Sequence, residues 1–268
     1  MTHVRTLVRS VAVGFITLAA VVGVSAALAY SQHAEATTTI SSGDLIRGQS
    51  FSAVYYMGAD GYRYVFPNDK TYFTWYSNFD TVEWMSDADL GKIQIGGNVT
   101  YKPGVKMIKI NTDPKVYAVH ENGALYWVDS EATATTLYGS AWNTRIDDVA
   151  DAFFSNYTLS GESEDVGGTW EFEGMGWTIN LDKSLVVPEA FSITSDGYSP
   201  LDATIEAGQT VRFTNNDSVN HTATGDDGSW GTGTILPGGN FVSRFRTSGT
   251  FTFTDSYDAS NTGAIYVE

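Results

Sequence analysis

Short runs of alternating apolar and polar residues fill the last third of the chain. Phe191 to Thr194, Ala203 to Glu206, Thr210 to Thr214, Phe241 to Arg246, Gly249 to Thr254 and Gly263 to Val267 all alternate in and out. A period of two puts the apolar side chains on one face of a strand, so six short strands are predicted. Turn-forming residues separate them at Ala207-Gly208, Asn215-Asn216-Asp217 and Pro237-Gly238-Gly239. Regularly spaced strands punctuated this way predict a β-sandwich over residues 184–268.

Residues 45–158 carry a second pattern, and carry it twice. Val54-Tyr55, Ala59-Asp60-Gly61 and Tyr64-Val65-Phe66 return 62 residues later as Val116-Tyr117, Glu121-Asn122-Gly123 and Tyr126-Trp127-Val128. Each copy reads as two aromatic-rich strands around a D-G or N-G turn, a strong hairpin signal. Asp69 to Tyr76 and Ser130 to Tyr138 follow as short helices opened by an Asp or Ser cap, and Asp87 to Leu90 and Asp147 to Phe153 supply a further turn each. Between the copies, Asn98 to Tyr101 and Lys106 to Ile110 flank a Lys102-Pro103-Gly104 turn and read as a joining hairpin. Residues 45–158 are thus expected to be a duplicated ββα-type domain. Two copies are few for an open solenoid, so a compact packing is expected. The fold class is mainly β.

The remaining segments have other tasks. Arg5 and Arg9 precede an uncharged, mostly apolar run from Ser10 to Ala29, and small-x-small triplets occur at Ala27-Leu28-Ala29 and Ala34-Glu35-Ala36. That is the layout of an export signal. The run is also long enough to cross a bilayer, so residues 1–36 serve as a cleaved signal peptide or as a retained membrane anchor. In both cases the positive end stays inside and the rest is exported, to the cell surface or beyond. Residues 37–44 are small and polar and read as a stalk; residues 159–183, rich in Gly and acids, read as a linker. Whether Trp170 to Ile179 adds a strand or packs on a neighbour is open.

Two features of composition exclude whole classes of function. A net charge of −16 repels polyanions, so no nucleic-acid partner is expected. The absence of cysteine removes disulfides, thiolate zinc sites, cysteine nucleophiles and lipid-modified cysteine.

Tyr198-Ser199-Pro200, IEAGQTVRFTNNDSVNHTATGDD, ILPGGNF and GTFTFTDSYDASNTGAIYV follow one another in residues 184–268. Over these residues the chain resembles the plastocyanin- and amicyanin-type cupredoxins. The resemblance implies a Greek-key sandwich and places the family's first copper ligand on His221. The other three, from a C-x-x-H-x-x-M loop, fall on Asp255, Asp258 and Asn261. A blue-copper centre requires a thiolate sulfur and two imidazoles, so blue copper is excluded here. One imidazole, two carboxylates and an amide can hold zinc, manganese or calcium. Alternatively, the Asp and Asn side chains bond the loop backbone as turn formers while His221 closes the end of the sandwich. The second reading is the expectation, with no metal and no cofactor. The pieces GADGYRYVFPNDKTYFTWY, GGNVTYKPG and TDPKVYAVHENGALYWV resemble a domain of uncharacterised bacterial cell-surface proteins, which implies surface location and no particular activity.

Catalytic chemistry finds little footing. Beyond His3 and His33, only His120 and His221 are present. Ser218, His221 and Asp226 lie on one loop without a nucleophile elbow or oxyanion signature, and no phosphate-binding or zinc-protease motif occurs. No catalytic residue and no enzyme activity are expected. The aromatic residues, among them Trp75, Trp84, Trp127 and Trp142, fill a core or form a stacking or adhesive face. The expected function is that of a non-catalytic extracellular cell-envelope protein, for surface structure, adhesion or binding to an envelope protein or glycan. The alternatives are a copper-type metal-binding cupredoxin and a carbohydrate-binding module that uses Trp127 or Trp142.

Overall fold

The computed structural model describes residues 39–162 and 176–268; the apolar run Ser10 to Ala29 and Trp170 lie outside the described residues. Among the described residues no helix is long and apolar enough to cross a membrane.

The first copy runs β1 (Leu45–Gly48), β2 (Tyr55–Met57), β3 (Arg63–Val65), α1 (Asp69–Trp75), β4 (Val82–Met85), α2 (Asp87–Lys92) and β5 (Ile95–Asn98). The second runs β6 (Met107–Lys109), β7 (Val116–Val119), β8 (Ala124–Val128), α3 (Glu131–Tyr138), β9 (Ile146–Asp148), α4 (Asp151–Phe154) and β10 (Thr158–Glu162). Each makes a five-stranded sheet, in the orders β4-β1-β2-β3-β5 and β9-β6-β7-β8-β10. Three antiparallel strands lie at the centre, and each edge strand joins in parallel after a helical crossover.

Register shows how deep the repeat goes. Ile46 pairs with Tyr55 and Tyr56 with Tyr64; 62 residues on, Ile108 pairs with Tyr117 and Ala118 with Tyr126. Both edge strands carry a bulge at the same place, Gly96 of β5 opposite the step from Arg63 to Tyr64 and Ser160 of β10 opposite the step from Leu125 to Tyr126. The residue after each bulge is a glycine at positive φ, Gly97 at 147° and Gly161 at 136°, where a side chain would be strained.

Three details depart from expectation. Each copy is a βββαβαβ unit, larger than ββα. The segment between copies is no hairpin, because β5 and β6 belong to different sheets. The cap of α1 is Asn68, whose Oδ1 accepts from Thr71 N at 2.8 Å, with Asp69 in the first turn; Ser130 does the same for α3.

After the second copy, α5 (Ile179–Asp182) tucks Ile179 into the first copy's core with Leu45, Val54 and Tyr72. This stretch of the expected linker is therefore packed structure. Its side chains hold both copies. Asn180 Oδ1 accepts from Ala59 N at 2.9 Å, and buried Asp182 accepts from Asn122 N at 2.9 Å.

The six predicted C-terminal strands form, as β11 (Glu189–Thr194), β13 (Asp202–Ile205), β14 (Thr210–Asn215), β16 (Asn240–Arg244), β17 (Gly249–Thr254) and β18 (Thr262–Val267). Two shorter strands join them, β12 (Gly197–Ser199) and β15 (Thr224–Gly225). They make two four-stranded sheets, β12-β11-β14-β16 and β13-β18-β17-β15. Phe191, Ile193, Val211 and Phe213 of one meet Phe253, Ile265 and Val267 of the other, and all are buried. The chain is thus mainly β, ending in a sandwich.

The turn of the first copy docks on the sandwich. Arg244 of β16 and Tyr64 OH both donate to the Asp60 carboxylate, the latter at 2.5 Å, while Thr210 Oγ1 donates to the Asp60 carbonyl at 3.1 Å. Asp60 is buried, so its charge depends on these donors. Breaking a buried pair from one side costs roughly 3–5 kcal/mol. Asp60→Ala is expected to lower stability by about that much and to split denaturant unfolding into two transitions, followed by fluorescence and circular dichroism. An unchanged single transition would show that this contact does not couple the two parts.

Candidate functional site

The four positions singled out by the resemblance separate into two groups. His221 lies in the loop before β15, where a bridge to Ile235 fixes its backbone. Asp255 follows β17 directly, and the two side chains meet, with His221 Nδ1 and Asp255 Oδ2 at 2.6 Å. Asp258 and Asn261 do not join them. Asp258 is exposed and accepts from Ser260 N at 3.0 Å and Ser260 Oγ at 2.6 Å. The Asn261 backbone closes the loop, donating to Asp258 O at 2.9 Å and accepting from Asp255 N at 3.0 Å. Its side chain lies against Gly197 of β12, where even a Cβ would stand 3.0 Å from Oδ1.

Asp255 is fully buried and fully bonded. Beyond His221, its Oδ1 accepts from Thr222 N at 2.9 Å, Tyr257 N at 3.0 Å and Thr222 Oγ1 at 3.2 Å. Thr222 in turn accepts from Ser256 N on its hydroxyl at 2.7 Å and from Tyr198 OH on its carbonyl. One carboxylate therefore ties the His221 loop to the 255–261 loop through side chain and backbone together.

The other edge of the ring is also taken. Asp217 Oδ2 lies 3.0 Å from His221 Nε2. Ionised carboxylates only accept, so with both carboxylates ionised each ring nitrogen must carry hydrogen, and in that state the ring is an imidazolium. Burial by itself pulls the His221 pKa down, but the hydrogen bonds and charges of Asp255 and Asp217 outweigh it and hold the pKa above 6.5. The same contact, with help from Ser218, holds the Asp217 carboxyl below its ordinary range.

Copper does not fit this donor set. No thiolate is available, and each imidazole nitrogen already faces a carboxylate. Asp217 and Asp255 sit on opposite edges of the ring, so no common point receives nitrogen and both carboxylates. Among the described residues no group of three or more His, Asp or Glu is arranged to hold a metal ion.

Ser218 and Asp226 do not complete a catalytic set with His221. Ser218 donates to Asp217, and Asp226 accepts from Thr254 Oγ1 at 2.7 Å. His120 is half-buried and stands edge-on to Tyr126, with ring centroids 5.8 Å apart. Asp217 is the functional neighbour that sequence reading missed. It stood in a turn-forming Asn-Asn-Asp run, and its signal was an acid four residues before the only loop histidine of the sandwich.

The aromatic residues divide similarly. Trp127 and Trp142 are half-buried, Trp127 beneath Lys115 at 4.8 Å and Trp142 against the core around Ala134. Trp75 donates to Thr100 O at 2.8 Å. The exposed rings are elsewhere and include Trp84, with Arg47 4.0 Å from its centre, Phe51, Phe73 and Phe79 in the first copy and Tyr257 and Tyr266 in the sandwich.

No protein-family model and no curated protein matches the chain. Solved structures do. A purple cupredoxin from Nitrosopumilus maritimus is 24% identical over 30% of this chain and 99% of its own, with a TM-score of 0.28. A Cu-containing nitrite reductase from Thermus scotoductus is 21% identical over 31% of this chain and 23% of its own, with a TM-score of 0.30. An amicyanin from Paracoccus versutus is 21% identical over 30% of this chain and 81% of its own, with a TM-score of 0.28.

Protonated His221 gives the sandwich a directional pH response. A raised folded pKa means that the stabilisation is complete below 6.5 and is lost as pH rises through the folded value. The depressed Asp217 acts oppositely, with stabilisation present above 3.8 and lost below it. Buried Asp182, pushed up to about 6 chiefly by desolvation, loses its contribution between 3.8 and 6, before His221 responds. Melting temperature is therefore expected to fall as pH climbs above 6.5, and His221→Gln to flatten that limb. A wild-type profile identical to that of the variant above pH 6.5 would refute the imidazolium.

Proposed function

We propose that this chain is an exported, non-catalytic binding protein of the cell envelope, in which the sandwich is a rigid mount and not an electron carrier. The carrying observation is the double occupation of His221: the ring that a cupredoxin would give to copper is spent on Asp217 and Asp255. A metal at either ring nitrogen would have to displace a charge-assisted hydrogen bond and a proton, and at Nδ1 it would leave Asp255 with only its other three donors. Export is supported by Arg5, Arg9 and the apolar run behind them. The non-catalytic character is supported by the absence of any nucleophile or general base with a free partner around His221.

The test is a titration of the purified full chain with Cu(II), Zn(II) and Ca(II), by calorimetry and visible absorption. Binding at this site is expected to be weaker than about micromolar, with no intense thiolate-to-copper band. Tighter binding that disappears in His221→Ala and Asp255→Ala, or a reversible redox couple, would sink the proposal. So would turnover of a glycan, peptide or redox substrate at ordinary enzyme rates.

A further inference from the structure

We infer that a groove on the first copy, beside its junction with the second, binds a neutral glycan. The groove encloses about 500 Å³ and has aromatic walls: Phe66, Tyr72 and Phe79 from the first copy and Phe153 from α4 of the second. That volume lies within the range of small-ligand sites.

The second copy serves as an internal control on why the rings are there. Positions 62 residues apart match in strand register and in helix cap, so Phe66 corresponds to Val128 and Tyr72 to Ala134. At those two places the second copy carries small aliphatic residues and fills its core from other positions, with Met107, Tyr138 and Trp142. Rings at positions 66 and 72 are thus particular to the first copy. The outer ring, Phe79, is 48% exposed. It lies parallel to Tyr72 at 4.3 Å and meets Phe73 edge-on at 5.3 Å. An exposed ring held by two others is a stacking platform already in place, with little rotamer freedom left to lose on binding.

Polar groups on the groove lining supply both signs of hydrogen bond. Asn98 donates from Nδ2 to Asn156 Oδ1 at 2.9 Å, which leaves its own Oδ1 as an acceptor. Asn68 uses Oδ1 to cap α1, which leaves its amide N–H groups as donors. Asp69 spends one oxygen on Lys70 N at 2.9 Å and keeps the other, and Ser52 adds a hydroxyl. A sugar matches this lining: its hydroxyls donate and accept, and its C–H face packs on an aromatic ring. The charge of −16 works against anionic polymers, so the glycan is neutral.

This inference rests on the binding-protein reading and gives it a ligand class. The experiment is calorimetry on the full chain with chitohexaose, cellohexaose and mannohexaose, with polygalacturonate and an extended-peptide array as controls. At least one neutral oligosaccharide is expected to saturate with a Kd of roughly 10 μM to 1 mM. Phe79→Ala should weaken it tenfold or more at unchanged melting temperature, Phe79→Trp should keep it, and Trp127→Ala and Trp142→Ala should leave it alone. No saturation by any of the three sugars overturns the inference. So does saturation indifferent to Phe79→Ala, or binding of the anionic polymer or a peptide at this groove instead. If the sugars fail while metal and turnover assays are also negative, only the glycan is lost; hydrolysis of a bound glycan would remove the binding-protein reading itself.

Discussion

An imidazolium clamped between Asp217 and Asp255 is the contact on which the end of the sandwich depends. Both loops there are built from short turns with few apolar side chains to bury, so packing alone gives them little reason to stay together. Asp255 is wholly removed from water and accepts from four donors on three residues. A buried carboxylate is tolerable only when so bonded, and each donor it engages is thereby fixed in place. The pair need not add much net stability, because desolvation offsets the attraction. What it supplies is uniqueness of arrangement, since any slip of either loop would leave a buried charge without its partner.

A second buried charge does the equivalent work elsewhere. Asp60 joins the first repeat to β16 through Arg244 and Tyr64, and Tyr62 OH extends the contact with a bond to Val242 O at 3.1 Å. Asp182 does so between α5 and the turn of the second repeat. In each case an acid accepts from the turn of a repeat or is itself part of one. The two copies thus use their equivalent turns differently: Asp60-Gly61 faces the sandwich, and Asn122-Gly123 faces α5. The turns have diverged from Ala-Asp-Gly to Glu-Asn-Gly, so the first bonds its partner through the Asp60 carboxylate and the second through the Asn122 backbone N–H.

Much of this architecture is legible in the sequence because it is local. The six sandwich strands follow from alternation, and the 62-residue repeat follows from its aromatic pairs and its D-G and N-G turns. The helix caps were nearly read, with Asn68 one residue before the expected Asp69, a shift decided by which side chain can reach Thr71 N. The edge strands β5 and β10 were hidden, since Gly96, Gly97 and Gly161 erase the apolar alternation at the bulges where they are needed. The joining hairpin was misread for a related reason: two runs flanking a Pro-Gly turn look alike whether they pair with each other or with separate sheets. Arg244, the charged partner of Asp60, lies 184 residues away in sequence, and no local pattern reports it. Asp217 was hidden by its own neighbours, because an acid among asparagines reads first as a turn.

The contrast between the copies also bears on what the molecule presents to its surroundings. A sequence rich in aromatic residues suggests a large core, and the two copies place their rings differently: the first uses Tyr72 and Phe66 where the second has Ala134 and Val128 and fills in with Tyr138 and Trp142. In the first copy they lie behind Phe79 and Phe73, which remain half in water, stacked and supported. Exposing large apolar surface invites association, so a half-exposed aromatic cluster persists most readily where something binds it. The sandwich and the aromatic groove then differ in kind: around His221 the side chains are committed to one another by hydrogen bonds, whereas the groove keeps rings and polar groups uncommitted.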